Sequence, residues 1–154
     1  LWSNLALTYF HLNRFNKSIE NYEKAIGMAP EDPSLYQGLG DVYSEIKDFE
    51  KAQEAYEQSA NLASDVDPRE AASSYYNMGV TFINNGRTEE AIKILEKAVQ
   101  VYSQHAEARY QLGISLLGVD RMDEAIDHLK SYIELEPEGE NTAVARQLVE
   151  QLQN

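Results

Sequence analysis

The eight residues YQGLGDVY at 36–43 decide the fold, because the same pattern returns along the chain. It recurs as YYNMGVTF at 75–82 and as RYQLGISL at 109–116, and an earlier copy reads WSNLALTY at 2–9. Apolar residues in each copy are three and four positions apart, which is typical of one face of an α-helix and not of a strand. Each copy therefore predicts an amphipathic helix.

A second segment follows each copy at a constant distance. It reads SIENYEKA at 18–25, AQEAYEQS at 52–59, AIKILEKA at 91–98 and AIDHLKSY at 125–132, again with helical spacing. A short turn separates the two segments of every copy. The sequence therefore predicts four helix hairpins, and residues 141–152 predict one further amphipathic helix.

A small residue occupies the fifth position of every first segment: Ala6, Gly40, Gly79 and Gly113. Glycine inside a helix costs up to about 1 kcal/mol relative to alanine. Its recurrence at one register predicts that a neighbouring helix passes too close for a side chain. The spacing between these positions is 34, 39 and 34 residues. Five residues are thus inserted before the third copy, and we expect them as a loop at 64–68, where lengthening is cheap.

Together these segments resemble the tetratricopeptide repeat (TPR) family, whose pattern is W-x2-L-G-x2-Y followed by A-x3-F and P. The resemblance covers nearly the whole chain. It implies an all-α fold, a right-handed α-solenoid of antiparallel helix hairpins whose first helices line a concave groove that binds peptides or proteins. We expect a single domain over 1–154, with repeats at about 1–32, 33–68, 69–104 and 105–138 and a capping helix at 139–154.

The groove residues follow from helical periodicity, as the side chains of the first helices that point away from the repeat core. Their character is polar and acidic in the second repeat, and apolar and aromatic in the third and fourth. The expected partner-binding residues are Leu7, Phe10, His11, Gln37, Asp41, Tyr76, Asn77, Val80, Ile83, Tyr110, Gln111, Ile114 and Leu117. The alternative that neighbouring helices bury Ile83, Ile114 and Leu117 stays open.

Charge limits the class of partner. Asp and Glu number 26 against 13 Lys and Arg, which gives a net charge of −13. Such a chain repels nucleic acid and anionic lipid, because affinity for phosphate requires a basic surface. No apolar run approaches the roughly 20 residues of a membrane span, so direct membrane insertion is not expected. We expect a protein or peptide partner that is neutral or basic and carries apolar anchors.

One known mode of binding is disfavoured. Some TPR domains bind the acidic C-terminal tail of heat-shock chaperones through a clamp of Lys, Asn and Arg in the groove. The residues in those registers here include no basic side chain; they are Ser3, Leu7, Gly38, Ser73 and Asn77, or one frame further on Gln37, Asp41, Glu107 and Gln111. An anionic tail is therefore an unfavourable ligand.

Residues for chemistry are sparse. The chain has no cysteine, which removes disulfides and thiolate chemistry. Its three histidines, His11, His105 and His128, have no mutual helical spacing of three or four residues, so no helical metal site is encoded. We expect no catalytic residue, no metal site and no cofactor, and hence not an enzyme.

The function expected is a non-catalytic protein–protein interaction scaffold that holds a partner segment in the groove. Two alternatives stay open. One is structural self-association, in which solenoid ends carrying Trp2, Leu5 and Tyr9 stack into homo-oligomers. The other is the recognition arm of a larger enzyme, since the sequence starts within the repeat pattern and without Met, like a piece of a longer chain. The compartment stays open between the cytoplasm and the periplasm.

Overall fold

The fold is an array of helix hairpins, seen in a computed structural model that describes residues 1–153. The residues described form nine helices and no strand. Their bounds are α1 Trp2–His11, α2 Phe15–Met28, α3 Pro33–Glu45, α4 Phe49–Ala63, α5 Pro68–Asn84, α6 Thr88–Val101, α7 Ala106–Leu117, α8 Met122–Leu135 and α9 Thr142–Leu152. The all-α fold of hairpins predicted from the sequence is confirmed.

Each helix packs mainly on the helices before and after it. The four pairs α1–α2, α3–α4, α5–α6 and α7–α8 form the hairpins, and α9 packs against α8. The first helices also touch one another, α1 with α3, α3 with α5 and α5 with α7. These four helices lie side by side, and we call the surface that they form the groove face.

Close approach of the two helices in a hairpin explains the recurring glycines. A Cβ added to Gly40 would lie 2.6 Å from the Tyr56 ring. A Cβ added to Gly79 would lie 2.8 Å from the Leu95 side chain, and at Gly113 the neighbour is likewise a leucine of the second helix, at 2.9 Å. The missing side chain therefore makes room for a large apolar residue of the second helix in each of these hairpins.

Two buried serines stand where other repeats have alanine, and their hydroxyl groups form hydrogen bonds. Ser18 is fully buried, and its hydroxyl donates to the carbonyl oxygen of Ala6 at 2.8 Å. Ser59 is also fully buried, with its Oγ 2.8 Å from both the carbonyl oxygen of Pro33 and the Oγ of Ser74. A small hydroxyl that finds a backbone acceptor replaces alanine without leaving a buried polar atom unpaired.

The turn inside each hairpin repeats in detail. One residue in every turn has a left-handed backbone; these are Asn13, Lys47, Gly86 and Asp120, with φ values of 54°, 64°, 72° and 60°. The next residue donates its backbone N–H to a carbonyl five positions back, as Arg87 does to Phe82 at 2.9 Å. This is the Schellman geometry that ends a helix, and it fixes the direction of the second helix.

The inserted residues lie mostly within helices. Pro68 begins α5 eleven residues before Gly79, whereas Pro33 begins α3 seven residues before Gly40. The connection 64–67 between α4 and α5 has four residues, as many as the connection 29–32 between α2 and α3. The loop expected at 64–68 is therefore no longer than its counterpart. The extra turn of α5 buries apolar surface, which a longer loop would leave in water.

The structure contains no helix, within residues 1–153, whose length and hydrophobicity would suit it to span a bilayer.

We predict opposite effects of alanine at two helical glycines. Gly79→Ala should lower the free energy of unfolding by about 1–3 kcal/mol, because the new Cβ overpacks against Leu95. Gly27→Ala is the control, since nothing lies within 4 Å of its Cβ position, and it should raise that free energy by up to about 1 kcal/mol. Urea unfolding followed by circular dichroism measures both. Equal stability of the two variants would contradict the close-approach explanation.

Candidate functional site

The thirteen residues predicted to bind a partner all lie on the first helices of the hairpins. Leu7 and His11 are exposed, and the other eleven are half-buried. Each of them therefore leaves some surface to solvent.

Several of the apolar residues predicted for the groove give part of their surface to the core. Ile83 packs against two clusters of buried residues, one formed by α4, α5 and α6 and the other by α5 to α8. Ile114 and Leu117 pack against the cluster of α7, α8 and α9 that contains Leu129. Phe10 packs edge-on against Phe15, with ring centroids 6.0 Å apart. Only part of each of these side chains is therefore accessible to a ligand.

Asp41 links three helices in the middle of the groove face. One of its carboxylate oxygens accepts a hydrogen bond from the Tyr56 hydroxyl at 2.7 Å and lies 3.5 Å from the amide nitrogen of Asn77. Burial raises the pKa of Asp41 above its ordinary value, and the hydrogen bond from Tyr56 opposes that rise. Burial and the nearby Asp41 raise the pKa of Tyr56, so its hydroxyl stays protonated and remains a donor.

The second place where predicted residues meet is a cavity of about 420 Å³ at the C-terminal end of the groove face. Tyr76, Tyr110 and Gln111 line it together. Its remaining lining comes from Glu107 of α7, from Tyr132 of α8 and from the segment joining α8 to α9, which contributes Glu136, Gly139, Glu140 and Asn141. We call it the tyrosine cavity.

Sequence reasoning missed the wall that residues 136–141 supply. That segment is tied down at several points. The backbone N–H of Asn141 donates to the Tyr132 hydroxyl at 3.2 Å, and the Thr142 hydroxyl donates to the carbonyl oxygen of Glu136. A Cβ on Gly139 would lie 2.8 Å from the Tyr132 oxygen. The signal was Tyr132, an aromatic residue at a position where the other repeats have a small one.

Tyr132 is almost fully buried and joins α7, α8 and α9. Its ring lies 5.1 Å from the ring of Tyr110, measured between centroids. It belongs to the apolar cluster that holds Ala145 and Val149 of α9. The large side chain thus fills the space between the last hairpin and the final helix, and it positions Tyr110 at the cavity.

His105 lies next to the tyrosine cavity and caps α7. Its Nδ1 accepts from the backbone N–H of Ala108 at 3.3 Å, and the same atom lies 3.3 Å from a carboxylate oxygen of Glu107. Burial lowers the pKa of His105, although the charge of Glu107 opposes that effect. The ring is therefore neutral at pH 7, and its contact with Glu107 is an ion pair only in acid.

The structure thus brings predicted residues together in two places on the groove face. Asp41 meets Asn77 in the middle, and Tyr76, Tyr110 and Gln111 meet at the tyrosine cavity. Leu7, Phe10 and His11 lie on the first helix of the array. In residues 1–153 no group of three or more His, Asp or Glu side chains is arranged to hold a metal ion.

The family model of the tetratricopeptide repeat matches residues 1–65 and 70–138 of this chain. Among curated relatives, the anaphase-promoting complex subunit CDC16 of Saccharomyces cerevisiae is 26% identical over 149 residues, 95% of this chain and 18% of the relative. The peroxisomal targeting signal receptor of Eremothecium gossypii is 28% identical over 138 residues, 87% of this chain and 23% of the receptor. The chain spans about a fifth of the length of these relatives.

Solved structures share the fold. The crystal structure of MamA matches with a TM-score of 0.76 at 22% identity, covering 96% of this chain and 81% of the MamA chain. YrrB, a TPR protein with an unusual peptide-binding site, matches with a TM-score of 0.72 at 22% identity, covering 98% of this chain and 74% of the YrrB chain. These similarities show a TPR solenoid.

We predict that Asp41→Asn stabilises the protein at pH 7. Because the pKa of Asp41 is raised, folding opposes ionisation of its carboxyl group. The full free-energy cost of holding the charged form is present once the pH exceeds the pKa in the folded state. Asparagine still accepts from Tyr56 and carries no charge. Glu45→Gln removes the same charge from an exposed position of α3 and is the control. Thermal melts should show a higher Tm for Asp41→Asn than for the control, and a lower one would contradict the prediction.

We predict that the protein loses stability as the pH falls below 6.5, the ordinary pKa of histidine, and that His105 contributes to this loss. Its lowered pKa means that the unfolded chain takes up the proton first, so stability is complete above this pH and falls below it. His105→Asn keeps a capping acceptor that does not titrate. The fall in Tm between about pH 7.5 and about pH 6 should be smaller in this variant than in wild type or His11→Asn. An unchanged fall would exclude His105 as a source.

Proposed function

The chain belongs to the tetratricopeptide repeat family, and we propose that it is a non-catalytic scaffold that binds a segment of a partner protein on its groove face. Two relatives support this class of function by their names, one a subunit of a complex and the other a receptor for a targeting signal. The similarity to YrrB, a protein with a peptide-binding site, points the same way. The proposal concerns this domain, because the relatives are several times longer.

The tyrosine cavity is the observation that carries the proposal. Tyr76 and Tyr110 come from successive first helices, stay half-buried and line one cavity. A tyrosine held by its neighbours has little rotamer entropy to lose and presents both apolar surface and a hydroxyl, which suits it as a binding anchor. The partner segment that fits this surface is neutral or basic with apolar anchors, since the chain carries a net charge of −13.

Three half-buried groups with shifted pKa values, Asp41, His105 and His128, support a non-catalytic role, because contacts within the fold account for these shifts. Asp41 holds Tyr56, and His105 caps α7. The Nδ1 of His128 lies 3.5 Å from the guanidinium of Arg109, where burial and the positive charge lower its pKa. Each group therefore has a structural explanation that requires no substrate.

The test compares three forms of the chain as bait. Tyr76→Ala with Tyr110→Ala removes both cavity tyrosines. Tyr36→Ala with Tyr102→Ala is the matched control, because these are half-buried tyrosines that do not line the cavity. Partners captured from lysate are identified by mass spectrometry, and their dissociation constants are then measured with purified proteins. The cavity variant should bind a partner at least about tenfold more weakly than wild type, with the control close to wild type.

Two results would contradict groove binding. One is a partner that binds the cavity variant as tightly as it binds the wild type, with the circular dichroism melts of both variants showing folded protein. The other is a mass that rises with concentration and returns to the monomer value when Trp2 is substituted, together with partner binding lost in the same variant. That second result would favour the self-association alternative. Leu5 of α1 and Leu12 at the end of α1 are exposed, which is consistent with that alternative.

A further inference from the structure

The tyrosine cavity has a wall of carboxylates. Glu107 belongs to α7, and Glu136 and Glu140 belong to the connection between α8 and α9, so two separate segments bring three acidic side chains to one cavity of about 420 Å³. The residues that line it include neither Lys nor Arg. Its volume is in the range of about 300–1,000 Å³ that is usual for ligand pockets, which is ample for one long side chain.

These carboxylates lack an internal cation at neutral pH. The ion pairs within residues 1–153 include neither Glu136 nor Glu140, and Glu107 pairs only with His105. The Nδ1 of His105 is committed to the N–H of Ala108, so the ring supplies no charge at pH 7. Arg146, the arginine of α9, donates to the carbonyl oxygen of Pro137 at 3.3 Å. The negative charge of the cavity is therefore available to a ligand.

Aromatic rings complete the lining. Burial raises the pKa values of Tyr76 and Tyr110, so both side chains stay neutral at pH 7. The Tyr76 ring is held against His105, with centroids 5.2 Å apart, and the Tyr110 ring is held against Tyr132. Neutral aromatic rings beside carboxylates attract a cation through the ring quadrupole as well as through charge, and they accept the methylene stem of a long side chain.

We propose that the tyrosine cavity is a subsite for one cationic side chain, lysine or arginine, of the bound segment. This inference rests on the proposed function, and it names the chemistry of one anchor of the partner. Repulsion from three carboxylates disfavours an acidic side chain. A purely apolar side chain would contact the tyrosine rings but would leave the negative charge of the cavity without a counter-charge.

The test uses a minimal probe, because the partner is not identified. Acetyl-Gly-Lys-Gly-amide and its arginine counterpart are titrated into the isotope-labelled chain at physiological salt, with NMR chemical shifts as the readout. The counterpart with norleucine has a similar stem and no charge. We expect a dissociation constant of roughly 1–10 mM for the cationic peptides, with shifts centred on residues 107–111 and 136–141. The norleucine peptide should bind at least about tenfold more weakly.

A charge-matched pair of variants separates the subsite from the general field of an acidic protein. Glu136→Gln with Glu140→Gln removes two charges from the cavity wall. Glu20→Gln with Glu23→Gln removes two charges from exposed positions of α2. The first variant should bind the lysine peptide at least about fivefold more weakly, and the second should bind it like wild type. Amide spectra show whether both variants remain folded.

Three outcomes would overturn the inference: equal binding of the lysine and norleucine peptides, unchanged binding by the cavity variant, or equal weakening in both variants. The result also separates this inference from the proposed function. If the cationic peptides fail while a natural partner still depends on Tyr76 and Tyr110, groove binding stands and the subsite does not. If the peptides bind as expected but the partner does not need those tyrosines, the cavity binds cations and the proposed function is wrong.

Discussion

The close approach of the two helices in each hairpin is the constraint on which the rest of the structure depends. It is set where Gly40 faces Tyr56, Gly79 faces Leu95, and Gly113 faces a leucine in the same way. Because the contact repeats at one register, successive hairpins stack alike and their first helices come to lie side by side. The groove face is therefore a consequence of packing inside the hairpins and of each second helix on the next first helix, more than of direct contact between its own helices.

The same constraint explains why the five extra residues lie mostly in helices. Groove side chains stay in line only if Gly79 keeps its place relative to Gly40, so added residues must not rotate the hairpin. Lengthening α4 at its end and α5 at its start leaves the contact with Leu95 unchanged. The added turn, residues 68–71, packs against the core, since Ala71 is fully buried. Tyr76 consequently keeps in α5 the position that Gln37 has in α3.

The repeat pattern was enough to predict the hairpins, the close-packed glycines and the helices that form the groove face, because all of these depend on local periodicity. Two features depended on contacts distant in sequence. Ile83 and Ile114 touch apolar neighbours on adjacent helices and so are half-buried, which helical periodicity alone did not decide. The wall at 136–141 depends on Tyr132 and Gly139. Their tertiary contacts fold the connection between α8 and α9 against the N-terminal half of α7.

In this molecule the contacts that stabilise the fold are mostly uncharged, and the charges considered for binding lie on the groove face. Serine hydroxyls buried in the hairpins find backbone acceptors, and the core clusters are apolar, so the repeats need no buried charge to fold. Asp41, half-buried on the groove face, instead has a pKa raised by burial, which means that its ionised form opposes folding. Glu136 and Glu140 add negative charge at the tyrosine cavity, and no ion pair within residues 1–153 includes either of them. A fold held by repeated apolar contacts tolerates the cost of Asp41, and a positively charged ligand would complement the carboxylates of the cavity.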